Sequence, residues 1–138
     1  MAPLSNISFT ELRALYAGAR VVAVPVLPSD YAAGITGLLE GLAMGRPTVA
    51  SNTEGLAGYV EHEREALLVP PSNVAALRQA ITDLWSNPER RAVLGAAARR
   101  LIETRFNFDT YVTALATIVR RVVDGQPPGP ASVHHGPG

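Results

Sequence analysis

The sequence contains no cysteine, which excludes disulfide bonds, thiolate chemistry and zinc sites built from cysteine. Its 12 Lys and Arg residues equal its 12 Asp and Glu residues, so no basic excess favours nucleic acid as a partner. No apolar run approaches the roughly 20 residues that a membrane-spanning helix needs. The residues after Met1 do not follow the signal-peptide pattern of a charged and then an apolar segment. We therefore expect a cytoplasmic protein that touches a membrane only through a domain outside this chain.

Several catalytic signatures are also missing. The sequence has no P-loop, no Gly-x-Gly-x-x-Gly, no Asp-x-Asp pair and no Ser/His/Asp or Cys/His arrangement. No metal site is predicted, and we expect neither a metal nor another cofactor. What remains is a chain of 138 residues that is 47% hydrophobic, which suits one domain with an adequate core.

The chain is organised around residues 28–51, which lead from one apolar strand to the next. Residues 21–26 are continuously apolar and mostly β-branched, which predicts a strand covered on both faces. A loop and a short helix, roughly residues 38–44, precede a second strand at residues 48–51. This strand–helix–strand unit requires a crossover in a parallel sheet.

A third strand is predicted at residues 66–69, followed only by helices. Start signals for helices are a capping box at Ser8 and Glu11, then Asn73, Asn87 before Pro88, and Asp109. Residues 1–124 form the predicted domain, and the Pro/Gly-rich residues 125–138 a disordered tail. Three strands are few for a doubly wound sheet. We therefore expect part of a larger α/β domain, either a fragment or a chain that completes its sheet by self-association through an open edge.

The start of the helix after the first strand is the candidate ligand site. Gly34, Thr36 and Gly37 lie there, where free backbone N–H groups and the helix dipole suit a phosphate. Glu40 is expected in the first turn, within reach of whatever the phosphate is attached to. Purely structural roles are the alternative. Glu40 then complements the helix dipole, Thr36 caps the helix, and the glycines permit tight packing.

Two further candidates follow the second strand. Ser51 and Asn52 lie at its carboxyl end, where open α/β sheets bind ligands. They are candidates for ligand contact, and ordinary turn chemistry is the alternative.

Several segments, in this order and spacing, resemble the carboxyl-terminal domain of GT-B glycosyltransferases. The resemblance is to the retaining group 1 (family four) class, which uses nucleotide-diphosphate sugars. The segments are residues 16–19, 28–29, 39–51, 67–71, 87–91, 94–95 and 105–108. The resemblance implies a Rossmann-like three-layer domain with a parallel sheet, in an enzyme that transfers a hexose to a hydroxyl acceptor. It also implies that an amino-terminal acceptor domain, absent from this chain, is a partner.

The resemblance assigns roles to residues in the loop after the first predicted strand and in the helix that follows this loop. Glu40 corresponds to a glutamate that contacts the donor ribose, and the N–H groups of Thr36 and Gly37 correspond to those that hold the donor phosphates. A second family glutamate, near the donor sugar, is replaced by Ala32. Asp30 is the candidate substitute, with a solvated turn as the alternative.

Two other departures qualify the resemblance. Ala57 and Gly58 stand where the family has a Pro-Glu pair, and the basic pair that neutralises the diphosphate is not in this chain. We therefore expect part of a donor site that is inactive alone. The alternative is a non-catalytic α/β module that binds a nucleotide or a protein.

Overall fold

The computed structural model describes residues 5–127. The strands are β1 (Val22–Val24), β2 (Thr48–Ser51) and β3 (Leu67–Val69). The α-helices are α1 (Phe9–Gly18), α2 (Ile35–Ala43), α3 (Val74–Ser86), α4 (Pro88–Arg105) and α5 (Phe108–Val123), and a short 3₁₀ helix covers Glu54–Leu56. The predicted α/β class with three visible strands followed by helices is confirmed.

The sheet is parallel throughout, in the order β1-β2-β3. Val24 lies opposite Ala50, and Ser51 lies opposite Val69. Because the strands are parallel, the loops that follow them meet at one edge of the sheet, where ligands bind in open α/β folds. The loop between β1 and α2 and the start of α2 lie at this edge.

Alternating strand residues build two apolar clusters, one on each face of the sheet. The first contains Val22, Val24, Leu38, Leu42, Ala50, Leu56, Val60, Ala66 and Ala98. The second contains Val49, Leu67, Val69, Ala80, Leu84 and Leu94. This alternation places α2 and α3 on opposite faces of the sheet, as a three-layer fold requires.

The expectation that residues 21–26 are covered on both faces is wrong. Val22 and Val24 are buried, but Ala23 and Pro25 are exposed, because no helix among residues 5–127 covers that face of β1. The outer edges of β1 and β3 also have no pairing strand among these residues. The part of the chain described therefore has open sheet edges, as the small number of strands predicted, whereas self-association through them stays a prediction.

Four helices begin at side-chain caps. The caps are Ser8, Asn73, Asn87 and Asn107 for α1, α3, α4 and α5. The predicted capping box is present: the Ser8 N–H donates to Glu11 Oε2 at 2.8 Å, and the Glu11 N–H donates to Ser8 Oγ at 3.3 Å. The prediction that Asp109 caps the last helix is wrong, since Asn107 does so and Asp109 lies in the first turn, where its charge still favours the dipole.

From residue 5 to residue 127, no helix is both long enough and apolar enough to cross a membrane. The predicted disordered tail, residues 125–138, lies outside the described residues apart from its first three positions.

Candidate functional site

Helix α2 begins three residues earlier than predicted, directly after Gly34. Gly34 has φ +77°, and a Cβ there would lie 2.8 Å from Val24 Cγ1 and from Val26 Cγ1. Both facts require glycine, and the left-handed turn lets the helix start at once. Thr36 is consequently the second residue of α2 and not its cap.

The first turn of α2 has unpaired backbone donors. No side chain caps it, in contrast to the other four helices of residues 5–127. The Ile35 N–H donates to the Ala32 carbonyl at 3.2 Å, whereas no acceptor in the described part of the chain takes the N–H groups of Gly34, Thr36 and Gly37. These are the three positions that the sequence singled out, and Thr36 itself is exposed. Free donors at a positive helix end fit an anion.

Glu40 lies in the second turn of α2, so its expected place in the first turn is wrong. The helix starts earlier than predicted, which leaves the carboxylate beside α1 instead of at the helix end. There the Tyr16 hydroxyl donates to Glu40 Oε2 at 2.9 Å. Burial, followed by the hydrogen bond and the charge of Glu40, raises the pKa of Tyr16 to about 12. The phenol is thus a neutral donor at any physiological pH.

An apolar hollow of about 210 Å³ adjoins this pair. It lies between α1 and α2 and is lined by Phe9, Leu12, Arg13, Tyr16, Glu40, Ala43 and Met44. Arg13 lines the hollow but forms no ion pair with Glu40. The carboxylate therefore depends on the phenol for its orientation.

The loop between β1 and α2 is fastened to the loop after β2. The Gly55 N–H donates to the Ser29 carbonyl at 3.1 Å, and the Ser29 hydroxyl donates to the Tyr31 carbonyl at 3.1 Å. A Cβ on Gly55 would overlap the Tyr31 carbonyl, so this contact also requires glycine. Asp30 is exposed on the loop and lines an open hollow of about 460 Å³. Ala32, where the resemblance implies a carboxylate, is half-buried.

Ser51 and Asn52 take part in fixing the edge of the sheet. Ser51 is buried, and its Oγ accepts the Val26 N–H at 3.0 Å, where Pro25 has just ended β1. Asn52 is exposed, and its N–H donates to the Val69 carbonyl at 2.7 Å. Both residues lie at the predicted edge, and contact with a ligand stays a prediction.

The structure thus collects the candidates at one edge of the sheet, with Glu40 displaced toward α1. Within residues 5–127, no group of three or more His, Cys, Asp or Glu side chains is arranged to hold a metal ion. Sequence reasoning missed two contributors, Tyr16 and Gly55. Tyr16 entered the sequence analysis only within the resembling segment 16–19, and Gly55 was not a candidate, since nothing in the sequence shows contacts over 24 residues or more.

Comparisons with known proteins identify relatives of this chain. A family model described as glycosyl transferases group 1 matches residues 4–87. A GDP-mannose-dependent alpha-(1-6)-phosphatidylinositol monomannoside mannosyltransferase of Mycobacterium tuberculosis is 30% identical over 119 residues, covering 83% of this chain and 31% of that protein. The chain thus spans about a third of the length of this curated relative.

Solved structures give the same fold. Sucrose-phosphate synthase of Thermosynechococcus elongatus has a TM-score of 0.77 and 28% identity over 89% of this chain and 30% of that one. Anabaena HepE in complex with UDP has a TM-score of 0.70 and 22% identity over 77% of this chain and 29% of that one, and HepE was also solved with UDP-glucose. The alternative of a non-catalytic module gains no support from these matches.

Proposed function

This chain belongs to the group 1 glycosyltransferases, and from that premise we propose that it carries part of the donor site of a retaining enzyme. The donor is a nucleotide-diphosphate sugar, and a hexosyl group passes to a hydroxyl acceptor. The mannosyltransferase relative is GDP-mannose-dependent by name, and HepE binds UDP and UDP-glucose. Because the chain spans about a third of its relative, we propose that the reaction also needs a domain on the acceptor side.

The observation that carries the proposal is the open first turn of α2. The free N–H groups of Gly34, Thr36 and Gly37 lie at the start of α2, at the carboxyl edge of the sheet, with no competing acceptor in the described residues. A diphosphate placed there gains hydrogen bonds and a favourable helix dipole. The same donors stabilise the negative charge that develops on the diphosphate when the bond to the sugar breaks.

Glu40 is proposed to bind the ribose of the donor. A carboxylate accepts hydrogen bonds from two neighbouring hydroxyl groups, and Glu40 keeps Oε1 free while Tyr16 occupies one lone pair of Oε2. Its place one turn behind the phosphate donors matches the order of groups along a nucleotide. Losing a hydrogen bond to a charged group costs about 1.5–3 kcal/mol, or roughly tenfold to a hundredfold in affinity.

The donor sugar is proposed to lie over the loop that carries Asp30. Since Ala32 offers no carboxylate, Asp30 is the acidic residue available on this loop. The Gly55–Ser29 hydrogen bond holds the loop in place. We expect the site to bind its donor without a metal ion, and a location in the cytoplasm stays a prediction.

The test is an NMR titration of the 138-residue chain with UDP, GDP and ADP, with and without EDTA. Saturable shifts for one nucleotide, unaffected by EDTA and weakened at least tenfold by Glu40→Ala, are expected. Glu89→Ala, which removes a carboxylate from the start of α4, is the matched control and should leave the affinity unchanged. A well-dispersed spectrum with no shifts, or equal effects of the two variants, would refute the proposal.

A further inference from the structure

Glu40 has one hydrogen-bond partner in the described part of the chain. Tyr16 Oη lies 2.9 Å from Glu40 Oε2, and neither a backbone N–H nor another side chain among residues 5–127 donates to this carboxylate. The two residues are 24 positions apart and belong to different helices. The orientation of the carboxylate is therefore set by α1 and not by α2 itself.

The surroundings of Tyr16 and Glu40 offer the carboxylate few other hydrogen-bond donors. The adjoining hollow is mainly apolar, so a carboxylate released from Tyr16 finds no other donor within it except the Arg13 guanidinium. A hydrogen bond in such surroundings is stronger than one in water, and losing it leaves a charged group free to turn away. The capping box at Ser8 and Glu11 fixes the start of α1, which carries Tyr16 in its next turns.

We infer that Tyr16 is a positioning residue, whose hydroxyl aims the Glu40 carboxylate at the ribose hydroxyl groups of the donor nucleotide. The inference rests on the proposed function, since it deepens the role given there to Glu40. Tyr16 touches the carboxylate and not the nucleotide. It therefore governs how strongly the site prefers a ribonucleotide to its 2′-deoxy counterpart.

The role of Tyr16 has a consequence that a purely structural tyrosine does not have. A structural tyrosine supports α1 against α2, and its loss weakens binding of every nucleotide alike. A positioning tyrosine matters most for ligands that carry both hydroxyl groups bound by Glu40, so a 2′-deoxynucleotide, which keeps only the 3′ hydroxyl, is weakened less. The ratio of the affinities for ribo- and 2′-deoxynucleotide separates the two roles.

The experiment compares binding of UDP and GDP with that of dUDP and dGDP to the full chain, by calorimetry. Tyr16→Phe should weaken the ribonucleotide about tenfold, which is the lower range for a bond to a charged group, and the deoxynucleotide, which keeps one of the two hydroxyl groups, by a clearly smaller factor. Tyr111→Phe, on the exposed face of α5, is the matched control with no expected change. In a Glu40→Ala background, which has no acceptor for the Tyr16 hydroxyl, Tyr16→Phe should have no further effect.

Three results would overturn the inference. If Tyr16→Phe weakens binding of the ribo- and deoxynucleotide equally, Tyr16 has a structural role. If the affinity for the ribonucleotide is unchanged, Tyr16 has no role in nucleotide binding. If the native chain binds a nucleotide and Glu40→Ala weakens this binding, either of these two results refutes the inference about Tyr16 and leaves the proposed function standing. If the native chain binds no nucleotide, the proposed function and the inference fail together.

Discussion

Two glycines on α2, one turn apart, should respond to alanine in opposite directions. A Cβ on Gly37 would have its nearest neighbours, Tyr16 Oη and Val24 Cγ2, at 3.9 Å, which is ordinary contact. A Cβ on Gly41 would lie 2.9 Å from Thr48 Oγ1 and 3.2 Å from Val22 Cγ1. The first site has room for a methyl group, and the second has none.

The magnitudes follow from these distances. In a helix, alanine is favoured over glycine by roughly 0.5–1 kcal/mol, so Gly37→Ala should raise the free energy of unfolding by about that amount. Gly41→Ala gains the same preference but must displace the buried Thr48 hydroxyl, which donates to the Arg46 carbonyl at 3.1 Å. Overpacking of this kind costs about 1–3 kcal/mol, so this variant should be less stable than the native chain.

Urea unfolding of both variants tests the reasoning. The midpoint should rise for Gly37→Ala and fall for Gly41→Ala, with the same slope m in each case. In a thermal melt, each kcal/mol corresponds to about 4 °C. If Gly41→Ala raised the midpoint as Gly37→Ala is expected to do, the close approach of α2 to β1 and β2 at Gly41 would be refuted.

Two further results are expected. Tyr16 should be half-ionised only near pH 12, because its pKa of about 12 lies above the ordinary value of 10. Its contribution to stability is then fully present below pH 10 and is lost as the pH rises from 10 through 12. Absorbance titrations of the native chain and Tyr16→Phe, whose difference isolates Tyr16, check this; a midpoint near 10 would contradict it. Gly55→Ala should lower the melting temperature by several degrees, because its Cβ would overlap the Tyr31 carbonyl. Gly18→Ala is the control, since the space around Gly18 is open and the melting temperature should not fall. Equal melting temperatures of the two variants would disprove the contact at Gly55.

Local signals in the sequence predicted much of the fold. The capping box at Ser8 and the asparagines at 73 and 87 mark helix starts through contacts within three residues, which a sequence displays directly. The two strands predicted at residues 21–26 and 48–51 gave the parallel pair because a strand–helix–strand unit requires a crossover in a parallel sheet. Errors arose where backbone conformation decided the outcome, as at Gly34, whose left-handed turn starts α2 three residues early.

The candidate site was predictable in its position and less so in its contacts. Gly34, Thr36 and Gly37 were found because a helix start after a parallel strand has free donors by construction. The partner of Glu40 was not found, because Tyr16 lies on another helix, 24 positions away in the sequence. Ser51 showed the converse, since a residue proposed for ligand contact holds the Val26 N–H with a buried hydroxyl.

The two ends of α2 are restrained very differently. At its carboxyl end, the Arg99 guanidinium donates to the Ala43 carbonyl, and Gly95 of α4 is in close contact with the Gly45 carbonyl. At its amino end, the helix begins without a side-chain cap. Helix α2 is thus held by α4 at its carboxyl end, whereas its uncapped amino end is the part proposed to bind a ligand. Amino-acid changes at these α4 contacts would therefore move the uncapped amino end of α2 without changing any residue there.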